Sequence, residues 1–117
     1  MTKIMVGTVQ FGMTYGIANQ HGRPSRKEVL EIIKFGYESG ICDYDTAAVY
    51  GESEEVLGQC FKDLGICHKV NVFTKIKALD EKATKSEKNY KNEIVASLDR
   101  SLKRLKMDCV AGVLFHR

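Results

Sequence analysis

Gly40-Ile41-Cys42-Asp43-Tyr44-Asp45-Thr46-Ala47-Ala48-Val49-Tyr50-Gly51-Glu52-Ser53-Glu54-Glu55-Val56-Leu57-Gly58 is the stretch on which the fold turns. A glycine leads into a short strand, Ile41 to Tyr44, which gives way to a polar exit, Asp45-Thr46-Ala47, and then to Tyr50-Gly51. From Ser53 the spacing becomes helical and predicts a helix to Leu64. Glu54 and Glu55 stand in its first turn, where the helix dipole favours acids, and Gly65 lies just past its end. Strand, polar loop and helix in that order make one β-α unit.

The same alternation extends in both directions. Upstream, Lys3 to Val6 reads as a strand running into Gly7-Thr8, followed by a polar loop from Gln10 to Pro24. Ser25-Arg26-Lys27-Glu28 is a capping box, in which Ser25 accepts from the Glu28 amide and Glu28 reaches back. The helix it opens carries Val29, Ile33, Gly36 and Tyr37 on one face, with Leu30 and Ile32 beside them, and Gly40 supplies its left-handed stop. Downstream, Val70 to Thr74 is a third strand, and Asp80 to Asn92 is charged and loosely specified. A helix follows on Ile94, Leu98, Leu102 and Leu105, and Cys109 to Phe115 reads as an apolar strand of the kind buried on both faces of a parallel sheet. The order βαβαβαβ predicts parallel strands with right-handed helical crossovers. An open doubly wound sheet and an eight-fold barrel both begin this way.

Composition fits one globular domain: 117 residues, 44% hydrophobic, and a net charge of +3 from 18 basic and 15 acidic side chains. That balance calls for neither nucleic acid nor a membrane. The lysines from Lys75 to Lys106 alternate with acids and read as a solvated face, and no apolar run is long enough to span a bilayer. Cys42, Cys60, Cys67 and Cys109 have neither metal-ligand spacing nor a C-x-x-C motif. They are expected as reduced thiols in a cytoplasmic protein, with no metal.

Functional side chains in parallel α/β domains gather where strands end. Gly7 and Thr8 follow the first strand, Asp45 and Tyr50 the second, Lys75 the third, and His116 the fourth. Each has a bland reading when taken alone: a packing tyrosine, a solvated lysine, a structural histidine. Together they have a chemical logic. A tyrosine hydroxyl ordinarily titrates near 10, a nearby ammonium favours its phenolate, and an aspartate would hold that ammonium in place. A histidine can orient a carbonyl, so the set would form a proton donor beside a carbonyl oxygen.

The Gly40–Gly58 stretch, with D-T-A-x-x-Y-G followed by S-E-x-x-L-G, resembles the signature of the aldo-keto reductases. Gly7-Thr8-Val9-Gln10-Phe11-Gly12, Val72-Phe73-Thr74-Lys75, Ser97 to Leu105 and Val113-Leu114-Phe115-His116 resemble other segments of that family at matching spacings. The resemblance implies an α/β fold, a partial (β/α)8 TIM barrel of about four parallel strands and three helices, with residues 1–117 forming the N-terminal half of the barrel domain. It implies Tyr50 as general acid, Lys75 as the group that tunes it, Asp45 as the partner of Lys75, and His116 as the carbonyl orienter. Gly7, Thr8 and Asp45 match positions near the nicotinamide of the cofactor, expected to be NADP(H).

The implied activity is NAD(P)H-dependent reduction of an aldehyde or ketone. Most cofactor contacts in the family come from the second half of the barrel, so this half alone is expected to be inactive. The expected partners are a small carbonyl substrate and, through open sheet edges, a second copy of the chain. The alternative is a non-enzymatic truncated or regulatory relative acting through protein association. The loop carrying Tyr15, Asn19 and His21 would overhang the rim, and Ala111-Gly112 departs from the family pattern and is expected to loosen the fourth strand.

Overall fold

Four parallel strands form one sheet in the order β1-β2-β3-β4, with the helices packed on one of its faces. The computed structural model describes residues 3–13, 22–77 and 87–116. The elements are β1 (Met5–Gly7), α1 (Val9–Gly12), α2 (Arg26–Glu38), β2 (Asp43–Asp45), α3 (Ser53–Leu64), β3 (Asn71–Lys77), α4 (Glu87–Leu105) and β4 (Gly112–His116).

The predicted alternation is therefore present, with one helix more than expected. The addition is the single turn α1, whose Phe11 and Gly12 are buried. Four residues between glycines carry no helical period, which is why this turn reads as loop. Residues 14–21, including Tyr15, Asn19 and His21, and the 80–86 part of the charged stretch lie outside the described residues.

Local chemistry accounts for the long helices. Ser25 accepts from the Glu28 amide at 3.2 Å while Glu28 Oε1 accepts from the Ser25 amide at 3.3 Å, so the capping box is complete. Helix α2 buries Val29, Ile33 and Gly36, whereas Ile32 faces solvent. The chain turns after α2 at Gly40, φ 89°, and after α3 at Gly65, φ 68°. Helix α3 is the central one, with Val56, Leu57, Cys60 and Phe61 buried. At Gly58 a Cβ would stand 2.5 Å from the Arg104 carbonyl oxygen, so only glycine lets α3 and α4 approach this closely.

Strand registers are Met5↔Asp43↔Asn71 and Gly7↔Asp45↔Phe73↔Gly112. Strand β3 alternates between the two faces of the sheet. Val72, Thr74 and Ile76 are buried beneath the helices, while Asn71, Phe73, Lys75 and Lys77 face the other way and are more exposed. The core lies between helices and sheet, around Tyr44, Phe61, Ile33, Leu57 and Leu105.

β4 departs from expectation. Its apolar run suggests burial on both faces, yet Val113, Leu114 and Phe115 are all exposed. Gly112 has a definite structural use: a Cβ there would meet the Phe73 ring at 2.8 Å, so the glycine lets that ring lie against β4. The four cysteines are free thiols. Among the described residues, no helix is long and apolar enough to cross a membrane, and no group of three or more His, Cys, Asp or Glu side chains is placed to hold a metal.

Candidate active site

The C-terminal ends of the strands bring Asp45, Tyr50, Lys75 and His116 to one rim. Lys75, on the uncovered face of β3, donates to Asp45 Oδ1 at 2.6 Å, to the Thr46 carbonyl oxygen at 3.3 Å and to the Tyr50 hydroxyl at 3.4 Å. These three acceptors match the three N–H donors of an ammonium. Burial works against the charge on Lys75. The hydrogen bond and charge of Asp45, then those of Tyr50, outweigh it and raise the pKa above the ordinary 10.5. The Lys75 ammonium also lies 5.1 Å from the Tyr50 ring centroid, and the His116 ring meets Tyr50 edge-on with centroids 5.6 Å apart.

The Tyr50 turn is held from behind by α1. Gly51 adopts φ 59°, the Glu52 amide donates to the Gly12 carbonyl at 3.1 Å, and a Cβ on Gly12 would fall 2.0 Å from the Tyr50 carbonyl oxygen. Arg23 closes the same corner, donating to the Phe11 carbonyl at 3.1 Å and pairing with Glu52 at 2.8 Å. Two glycines in contact thus set where the phenol stands.

Gly7 and Thr8 divide in their behaviour. Gly7 is exposed beside Asp45, with no atom of the described residues within 4 Å of where a Cβ would lie, so the backbone is open to close approach there. Thr8 is fully buried. Its hydroxyl donates to the Asp45 carbonyl at 2.8 Å and lies 2.7 Å from Ser53 Oγ, which in turn lies 2.8 Å from Thr46 Oγ1 and donates to the Thr8 carbonyl at 3.0 Å. The side chain of Thr8 therefore faces this hydroxyl cluster, which ties the ends of β1 and β2 to the start of α3.

Sequence reasoning missed that cluster, and also Glu54. Glu54 is buried, accepting from Thr74 at 2.7 Å and pairing with Arg104 at 2.8 Å. Thr74 and Lys75 point to opposite faces of β3, so Glu54 anchors the strand directly behind the lysine. The available signal was the run of polar residues next to the strand ends, read as a loop exit and a helix cap.

Polar groups converging at the strand C-termini of a parallel β/α scaffold stand where barrels and open sheets alike carry their functional sites. The chain belongs to the aldo/keto reductase family, whose model matches residues 3–117. It is 33% identical over 112 residues to aldo-keto reductase YhdN of Bacillus subtilis (strain 168), covering 93% of this chain and 32% of that protein. It is 31% identical over 117 residues to a protein of Oryza sativa subsp. japonica described as a probable voltage-gated potassium channel subunit beta, covering 97% and 34% respectively. Among solved structures, the aldo-keto reductase PA4992 of Pseudomonas aeruginosa superimposes with a TM-score of 0.74 at 30% identity, over 97% of this chain and 42% of that one. The chain thus spans about a third of the curated relatives' length, and its fold is part of a (β/α)8 barrel.

Proposed function

We propose that this chain carries the proton-donating side of a nicotinamide-dependent carbonyl reductase acting on an aldehyde or ketone. The observation that carries the reading is the continuous contact Asp45–Lys75–Tyr50, with His116 against the tyrosine ring. The Tyr50 hydroxyl accepts from Lys75, so its own proton is free to pass to a substrate carbonyl oxygen. Asp45 keeps the ammonium charged and in place, and this charge stabilises the phenolate left behind. His116, beside the same ring, would orient the carbonyl.

NADP(H) supplies hydride when bound. The open backbone at Gly7 and the half-exposed Asp45 beside it suit close approach of the nicotinamide, while Thr8 acts from behind by positioning Asp45. The small carbonyl substrate would enter from the uncovered side of the rim.

The test is oxidation of NADPH with a panel of aldehydes and ketones, using the chain in its assembled form and alongside a polypeptide supplying the remaining strands. Turnover that falls by about 10² or more in Tyr50→Phe supports the assignment. Turnover unchanged by that substitution overturns it. A second reading, a non-enzymatic association module, draws on the likeness to the rice channel-subunit relative. NADPH binding with no turnover in any assembly would favour it.

A further inference from the structure

We propose that Glu54, acting through Thr74, is a positioning residue that holds β3 where the Lys75 ammonium reaches Tyr50. The inference rests on the reading of Lys75 and Tyr50 as the proton-donating pair, while its test needs no turnover.

Its basis is the way the two faces of the sheet are used. Asp45 and Lys75 meet at 2.6 Å on the uncovered face. Their chain neighbours, Thr46 and Thr74, are fully buried on the helix side. Each of these threonines is held by one of two consecutive residues in the first turn of α3. Thr46 Oγ1 lies 2.8 Å from Ser53 Oγ, and Thr74 donates to Glu54 Oε2 at 2.7 Å. One turn of helix thus fixes, from behind, the backbone on which both members of the ion pair are mounted.

Glu54 is the charged member of that turn. It is 1% exposed, and its other oxygen, Oε1, accepts from Arg104 Nε and Nη2, each at 2.8 Å. Arg104 is kept in place on α4 by Ser101, to which it donates at 3.3 Å. The trio Arg104, Glu54 and Thr74 therefore joins α4, α3 and β3. A buried ion pair adds little stability, because desolvation offsets its attraction. What this one supplies is direction: with Oε1 committed to Arg104, Oε2 is aimed at the Thr74 hydroxyl.

The distances on the other face show why direction matters. Lys75 reaches Asp45 at 2.6 Å but the Tyr50 hydroxyl only at 3.4 Å, beyond the ordinary range of about 2.7–3.2 Å. A small retreat of β3 keeps the aspartate and loses the tyrosine. Tyr50 does not retreat with the strand, because its turn is held from α1 through Gly12 and Gly51. The contact between ammonium and phenol is thus the one most sensitive to the anchor at Thr74.

The experiment is a pH titration of the ¹³C resonances of the reductively methylated 117-residue chain, with Lys75 assigned by its loss in Lys75→Arg. It compares the unsubstituted chain with Thr74→Val, Thr74→Ser and Glu54→Gln, each checked for fold by circular dichroism. Thr74→Val should lower the Lys75 midpoint, because burial still opposes the charge while the support from Tyr50 is weakened. Thr74→Ser keeps the hydroxyl and should keep the midpoint. In Glu54→Gln the side chain must turn its single oxygen to Arg104, which only donates, so Thr74 loses its acceptor and the midpoint should fall again. If Thr74→Val fails to fold, Glu54→Gln, which preserves the volume, decides. A Glu54 that merely stabilises the fold would lower the urea midpoint and leave the Lys75 titration where it was. An unmoved titration in a folded Thr74→Val or Glu54→Gln chain overturns the proposal, and so does an equal fall in Thr74→Ser. Turnover does not enter this readout, so failure of the reductase reading and failure of this one are separately visible.

Discussion

Lys75 shows how a single residue's environment is set by opposing effects. Burial, the largest single influence, lowers its pKa, and Asp45 and Tyr50 reverse the sign. Asp45→Asn should therefore lower the Lys75 titration from its raised position, because burial is then opposed by Tyr50 alone. The measurement is a pH titration of the ¹³C resonances of the reductively methylated chain, and an unchanged Lys75 midpoint would refute the pairing. Since the folded value lies above 10.5, the ion pair stabilises the fold below the ordinary lysine value for as long as the carboxylate is charged, and its contribution disappears as pH climbs through the raised value. Tyr44 is the opposite case. Its hydroxyl is buried with no hydrogen-bond partner among the described residues, and burial, followed by Cys42 and Cys60, pushes its pKa to about 12. The ring packs edge-on to Phe61 at 5.0 Å, a contact that phenylalanine would keep. Tyr44→Phe should leave stability unchanged or raise it by about 1 kcal/mol in urea unfolding, because it removes an unsatisfied polar group. A loss of more than about 1 kcal/mol would mean the hydroxyl has a partner after all. At this scale the sequence was legible where a reactive residue stands at or near the C-terminal end of a strand, as Asp45, Lys75 and His116 do. It was not legible for Thr8, Thr46 and Ser53, because hydroxyl residues near strand ends ordinarily face water, and only packing reveals that these three are enclosed together.

Helix boundaries were legible in proportion to how much local chemistry marks them. The α2 start and the α2 and α3 stops carry a capping box and glycines, and all three were found in the structure where expected. Strand ends shifted by one to three residues, because pairing across the sheet, not strand propensity, decides them: β2 begins at Asp43, opposite Met5 and Asn71. The stop of α4 has no glycine. Lys106 takes the left-handed conformation there, φ 56°, and the Met107 amide donates back to the Leu102 carbonyl at 3.1 Å. A side chain in that region is strained, and glycine is not. Lys106→Gly should therefore stabilise the chain by about 0.5–1 kcal/mol, read as a higher urea midpoint at constant slope. A lower midpoint would show that the Lys106 side chain contributes more than its backbone costs.

For the whole molecule, the alternation of strands and helices was readable from periodicity, but the choice between barrel and open sheet was not, because both share their first four β-α units. The family resemblance of the Gly40–Gly58 stretch decided it, and the matched structures agree. Exposure of β4 was unreadable for a related reason. An apolar strand predicts burial, but what covers it is a property of the sheet beyond it, and Leu114 stands 54% exposed here.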